Sequence, residues 1–233
     1  MHMASRSHRG LIRVHNEDCV WCSEQDGLAI LADGMGGLMA GRQASSIAVD
    51  ALTQLSGNLQ LTPARLLAGI SQAHMQINDY AQRHEILGQI GTTVVVWAET
   101  DDGWIAAHVG DSRLYGVTAS GLKLLTKDHS LAQQMLDSGE VEQGVDVELH
   151  YGHVLTQGLG LKTQLCPEVV LGHQVVTCSR FLLCSDGLSD SVDAASLERL
   201  ISADDLGEAA DDLLQAALEA GGKDNISLIL IDI

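Results

Sequence analysis

Four aspartates stand where apolar runs meet small or polar residues. They are Asp33 in Leu31-Ala32-Asp33-Gly34, Asp111 in His108-Val109-Gly110-Asp111-Ser112, Asp186 in Leu183-Cys184-Ser185-Asp186-Gly187, and Asp224 in Gly222-Lys223-Asp224-Asn225. Taken alone, Asp33-Gly34-Met35-Gly36-Gly37 reads as a strand-to-helix turn, because Asp and Gly are ordinary turn residues. Four such coincidences are a poorer explanation than one shared purpose. Carboxylates at strand ends can converge on one edge of a sheet pair. Asp oxygens, Gly carbonyls and water are the hard ligands that Mg²⁺ and Mn²⁺ take, and no His or Cys joins these four to suggest zinc. Buried like charges repel unless cations neutralise them, so the cluster itself argues for metal.

Arg13-Val14-His15-Asn16-Glu17-Asp18 adds a guanidinium fork suited to a phosphate dianion, and a carboxylate, Asp18, that could orient a metal-bound water. Rival phosphate chemistries fail on spacing. No Cys has an Arg six positions later, no GxxxxGK[ST] loop is present, and no Asp-x-Asp pair offers an aspartyl nucleophile. What remains is metal-activated water attacking a phosphoester directly.

The elements must bring these ends together. Cys19 to Trp21 and Leu28 to Ala32 read as strands joined by a turn at Gln25-Asp26-Gly27. Gly41 to Leu55 keeps helical spacing, and Pro63 opens a second helix with Leu66, Ile70, Ala73, Ile77 and Tyr80 on one face. Strands follow at Thr92 to Ala98, Trp104 to Val109, Arg113 to Val117 and Leu122 to Leu125. A short helix is expected from Ser130 to Asp137, then a polar, acidic, aperiodic stretch from Gly139 to Gly152. Val169 to Leu171, Phe181 to Cys184 and Ile226 to Ile231 are further strands, and Leu206, Ala210, Leu213 and Ala217 mark a helix stopped at Gly221-Gly222. Residues 4–18 are polar and basic, and Met1-His2-Met3 is set aside. Hairpin-linked strand runs with helices singly or in pairs imply an α+β fold with antiparallel sheets.

The 233 residues suit one large domain, 1–233. Acids outnumber bases by 31 to 13, giving a net charge of −18, and Asp128 to Glu148 carries six acids with no Lys or Arg. Such a surface repels phosphate backbones and anionic membranes, so no nucleic-acid or membrane partner is expected. The absence of an apolar leader or a membrane-length run, with five cysteines and no framework spacing, points to a cytoplasmic protein. Cys19 and Cys22 have CxxC spacing. In a strand, residues three apart face opposite ways, so they read as two small apolar residues rather than a redox or zinc pair.

Eight stretches carry a resemblance: RVHNED (13–18), ADGMGG (32–37), GTT (91–93), VGDSRLY (109–115), KDHS (127–130), LTQGLG (155–160), LLCSDGLSD (182–190) and KDN (223–225). In order and approximate spacing they resemble the metal-dependent protein serine/threonine phosphatases of the 2C type, and the chain looks like a compact bacterial member. The resemblance implies a central sandwich of two antiparallel β-sheets flanked by pairs of α-helices. It implies Mn²⁺ or Mg²⁺ as cofactor, two core ions with a third, weaker one, and hydrolysis by a hydroxide bridging two metals. Asp33 would bridge the core metals, Gly34 would lend its carbonyl, and Asp186 and Asp224 would complete the first site. Asp111 with Asp186 would hold the third ion, Asp18 would act through metal-bound water, and Arg13 would clamp the substrate phosphate. Partners would be phosphorylated proteins of a Ser/Thr kinase pathway, type VI secretion among the settings that family members serve. The stretch 139–152 falls at the family's flap.

One residue departs from the pattern. Many members have His where Met35 stands, as the acid for the leaving alkoxide, and Met cannot donate a proton. His15 and His153 are candidate substitutes. Two rival readings are a catalytically silent phosphoprotein-binding scaffold and an acidic Ca²⁺ module, the latter lacking the D-x-[DN]-x-[DN]-G loop.

Overall fold

A computed structural model of the chain describes residues 1–36, 40–57, 61–139, 147–172 and 177–233, with backbone alone at 148 and 149. In chain order the elements are β1 (His2–His8), β2 (Cys19–Ser23), β3 (Leu28–Ala32), β4 (Gly34–Met35), α1 (Ala40–Thr53), α2 (Pro63–Arg83), β5 (Gly91–Thr92), β6 (Val94–Thr100), β7 (Gly103–Val109), β8 (Arg113–Thr118) and β9 (Gly121–Leu124). They continue with α3 (Leu131–Ser138), α4 (Val147–Tyr151), β10 (Glu168–Leu171), β11 (Cys178–Cys184), α5 (Asp186–Ser189), α6 (Ala194–Ile201), α7 (Leu206–Glu219) and β12 (Ile226–Asp232).

Two five-stranded antiparallel sheets result, ordered β1-β12-β11-β8-β9 and β10-β7-β6-β3-β2. Their inner faces meet through Leu31, Val95, Trp97 and Trp104 from one sheet and Leu114, Phe181, Leu183 and Ile229 from the other. The outer face of the second sheet, Leu28, Ile30, Val94 and Val96, packs under α1 and α2, with Leu52, Leu66, Ile70 and Ile77 among the covering residues. The outer face of the first, Leu182, Leu228 and Leu230, is covered from α6 and α7 by Leu197, Ile201 and Leu213. Both faces of β3, β6, β11 and β12 are thus buried, which is why these strands read as unbroken apolar runs rather than alternating ones. Cys19 packs against the outer cluster and Cys22 against the inner one, the opposite-face placement expected of a strand.

The structure corrects the reading in three places. His2–His8 is a strand, paired residue for residue with Ile226–Asp232, although nothing strand-like was expected there. Its composition is polar, and it is recruited by the open edge of β12. The stretch before α7 holds two further helices, α5 and α6, the first only four residues long and too short to show a period. Within 139–152, Gly139 is the left-handed cap of α3 (φ 71°) and Val147–Tyr151 is helical, while residues 140–146 of the expected flap lie outside the described residues, as does Gly37.

Strand direction then fixes where the ends fall. β3 and β7 both run antiparallel to β6, so they run parallel to each other and deliver Asp33 and Asp111 to the same edge. Cys184 pairs with Leu228, which places Asp186, just after β11, beside Asp224, just before β12. His8 pairs with Ile226 and Cys19 with Ala32, so the connection between β1 and β2, carrying Arg13 and Asp18, starts and ends at that edge as well.

Candidate active site

Six of the seven residues expected from the sequence, Arg13, Asp33, Gly34, Asp111, Asp186 and Asp224, line one cleft of about 1040 Å³. Asp18 is set behind it, 8% exposed. The Ser185 hydroxyl donates to Asp18 Oδ2 at 3.0 Å, while Oδ1 meets no donor among the described residues.

Asp33 is held through its backbone. The Asp33 N–H donates to Thr93 Oγ1 at 3.0 Å, and the Asp33 carbonyl accepts from Thr92 Oγ1 at 2.8 Å and from the Thr93 N–H at 2.9 Å. Thr93 also shares a 2.6 Å hydrogen bond with Ser112, the neighbour of Asp111, tying the two strand ends together. A Cβ at Gly34 would lie 2.3 Å from the Gly41 carbonyl oxygen and 2.5 Å from that of Glu17, backbone that cannot yield, so only glycine lets the chain turn here. Asn225 fastens the connection that carries Arg13: its Nδ2 donates to the carbonyls of Arg9 (3.0 Å) and His15 (2.9 Å), and its Oδ1 accepts from the Glu17 N–H at 2.8 Å. Arg13 Nη2 in turn donates to Asp224 Oδ2 at 2.6 Å, a bond that raises the guanidinium pKa further.

Burial and mutual repulsion dominate the electrostatics. Asp33 is held well above the usual carboxylate range, by burial first and then by the charges of Asp18, Asp186 and Asp111. Burial, then Asp111 and Asp224, pushes Asp186 up to about 8. Asp111 rises to about 7 through burial and the charge of Asp128, and Asp18 to about 6 through burial. Such a group resists carrying its charges unaided. The donors are all oxygen and the Asp18 Oδ1 is buried without a partner among the described residues, so the set fits hard divalent cations rather than a softer metal or an organic cofactor.

Three residues with structural duties at the site went unassigned in the sequence: Thr93, Ser185 and Asn225. All three lie in quoted motifs, Ser185 and Asn225 next to Asp186 and Asp224, yet their partners are distant in the chain, 60 residues away for the Asp33–Thr93 bond and 208 for Glu17–Asn225. Met35, His15 and His153 also line the cleft.

Comparison with known proteins agrees with this geometry. Residues 5–229 match the family described as protein phosphatase 2C. The serine/threonine phosphatase stp of Listeria innocua is 33% identical over 243 residues, covering 100% of this chain and 96% of that protein. The crystal structure of the Mycobacterium tuberculosis serine/threonine phosphatase PstP/Ppp superposes with a TM-score of 0.88 at 31% identity, covering 100% of this chain and 98% of that one. A structure of the catalytic domain of PstP in complex with two manganese ions gives 0.83 at 31% identity, covering 99% and 97%. With matches running almost from end to end and aspartates gathered at one sheet edge, the chain belongs to the protein phosphatase 2C family of metal-dependent serine/threonine phosphatases.

Proposed function

We propose that this phosphatase removes phosphate from serine and threonine side chains of proteins in the cytoplasm, reversing a Ser/Thr kinase, with Mn²⁺ or Mg²⁺ as its cofactor. The observation that carries the reading is the meeting of Asp33, Asp111, Asp186 and Asp224 with Arg13 in one cleft. Asp33, the Gly34 carbonyl, Asp186 and Asp224 would hold two core ions, and Asp111 with Asp186 a third. Bound there, two such ions lower the pKa of a water toward neutrality and stabilise the oxygens of an in-line displacement.

The chain's own groups do the rest. Arg13 presents its fork to the phosphoryl oxygens and aligns the ester. Asp18, with one oxygen tied to Ser185, has the other available to take a hydrogen bond from water and orient it. Asn225 and Thr93 keep the Arg13 connection and Asp33 in register, so the geometry exists before substrate arrives. With every expected carboxylate in place, a catalytically silent scaffold is disfavoured.

Hydrolysis of a phosphothreonine peptide tests the reading. Turnover is expected with Mn²⁺ or Mg²⁺ and not in EDTA, and Asp33→Ala or Asp186→Ala should abolish it. Full activity in EDTA overturns the metal mechanism.

A further inference from the structure

We propose that His108, His129 and Glu168 form a second cation site, apart from the aspartate cleft, suited to one Zn²⁺ ion. None of the three lines the cleft. Glu168 opens β10 directly opposite His108 on β7, so their side chains share a face of the sheet. The His129 ring stacks on that of His108, 4.7 Å between centroids. One ligand atom from each of the three residues lies within 4.8 Å of the others, and His129 Nε2 is 3.5 Å from Glu168 Oε1.

One orphaned atom and one poorly satisfied one point to a ligand. The histidines are only 1% and 6% exposed. His108 Nε2 donates to the Lys127 carbonyl at 2.8 Å, so its Nδ1 carries a lone pair, and that lone pair meets no donor among the described residues. His129 Nδ1 accepts from the Gly110 N–H at 3.1 Å, which leaves the proton on Nε2, where its nearest acceptor among the described residues is Glu168 Oε1 at 3.5 Å, a long and weak contact. Buried polar atoms left poorly satisfied in this way are costly, and His129 Nε2 faces the carboxylate of Glu168, the residue paired with His108 across the strands.

The donor chemistry selects the ion. Two imidazole nitrogens and one carboxylate suit Zn²⁺, whose tetrahedral site leaves a fourth position for water, whereas Mg²⁺ and Mn²⁺ favour the all-oxygen cleft. Zn–N and Zn–O bonds of about 2.1 Å set a tetrahedral edge of about 3.4 Å. The His129–Glu168 separation already matches that edge, and half-exposed Glu168 gives the route in from solvent.

Two costs set the strength. The stacked rings must splay so that both lone pairs meet one ion, and the His129 proton must move from Nε2 to Nδ1. That move opposes the Gly110 N–H and releases it. Since Gly110 precedes Asp111, occupation would be felt at the neighbouring cleft. The affinity expected is micromolar rather than that of a preformed structural site.

The proposal does not depend on the phosphatase reading, and its test is a binding measurement. Calorimetric titration of Zn²⁺ into protein held in saturating Mn²⁺ should show one Zn²⁺ per chain with micromolar affinity. Glu168→Gln, at a half-exposed strand edge where folding is not at stake, should weaken it about tenfold or more, as should His108→Gln. Asp33→Ala should leave it intact. Zn²⁺ binding that Mn²⁺ abolishes, that Asp33→Ala removes, or that Glu168→Gln leaves unchanged would each place the ion elsewhere and overturn the proposal.

Discussion

Arg13 and Asp224 are joined at 2.6 Å, so the cation proposed to clamp phosphate and a carboxylate proposed to hold metal neutralise each other. Both side chains are substantially exposed, and such a pair adds little to stability. Its consequence is competition, because guanidinium and divalent cation seek the same oxygen. Arg13→Ala should therefore move two constants in opposite directions. The Mn²⁺ concentration for half-maximal activity falls, about two- to fivefold, while KM for a phosphothreonine peptide rises about tenfold or more. Arg13→Lys should recover only part of the KM, since an ammonium is a point charge without the fork. Initial rates over a grid of Mn²⁺ and peptide concentrations separate the two effects. A shift of both constants in the same direction contradicts the competition.

Asn225 makes the corresponding structural prediction. Its side chain makes three hydrogen bonds that span more than 200 residues of sequence and fasten the Arg13 connection to the start of β12. At roughly 1 kcal/mol per bond, Asn225→Ala should lose about 2–3 kcal/mol. That is on the order of 5–10 °C in Tm for a chain of this size. With the connection slackened, KM should rise more than kcat falls. Thermal melts and steady-state kinetics check this, and a variant with native Tm and KM would show that the connection is held by other contacts.

The raised carboxyl groups predict how stability depends on pH once metal is removed. A carboxyl with a higher pKa folded than unfolded binds its proton more readily in the folded state. Its folded form is therefore favoured at low pH and loses ground as pH rises from the unfolded value, about 4, through the folded one. Asp18, Asp111 and Asp186, at about 6, 7 and 8, place that loss between roughly pH 4 and pH 8. The Tm in EDTA should fall from pH 5.5 to pH 8.5, and Mn²⁺ should raise it more at the upper end. Melts in EDTA and in Mn²⁺ across this range check the sign. A Tm in EDTA that climbs over the window would mean the carboxylates are stabilised by protein donors instead.

The cleft carboxylates were legible because their type and position carry the signal: Asp33, Asp111 and Asp186 each follow an apolar run, and Asp224 precedes one. β3 was legible for a related reason, since all five of its residues are buried. β1 was not, because Ser5, Arg6 and Ser7 carry no apolar pattern and the strand exists through its pairing with β12. α6 did announce itself through Asp193, whose carboxylate accepts from the N–H groups of Ala195 and Ser196, a capping signal that apolar periodicity does not carry. Thr93 and Ser185 act through partners brought close only by the fold, and no spacing within a motif reports that. His108 and His129 stood in quoted motifs too, yet their stacking and their pairing with Glu168 depend on strand register.

Met35 sets the last prediction. Phosphothreonine leaves as an alkoxide that needs a proton, whereas the phenolate of an activated aryl phosphate leaves without one. Met35 lines the cleft and has no proton to give, and the lining histidines are His15 and His153, carried on the Arg13 connection and on the segment after α4. A general acid contributes on the order of 10²–10⁴ to a step that needs it. Replacing the histidine that serves should therefore lower kcat for the phosphothreonine peptide by tenfold or more and leave p-nitrophenyl phosphate nearly unchanged. Met35→His should raise the peptide rate relative to the aryl rate by restoring a donor at the glycine turn. Comparing both substrates in His15→Ala, His153→Ala and Met35→His identifies the donor. Equal effects on both substrates in each variant would show that neither histidine protonates the leaving group, and that water does.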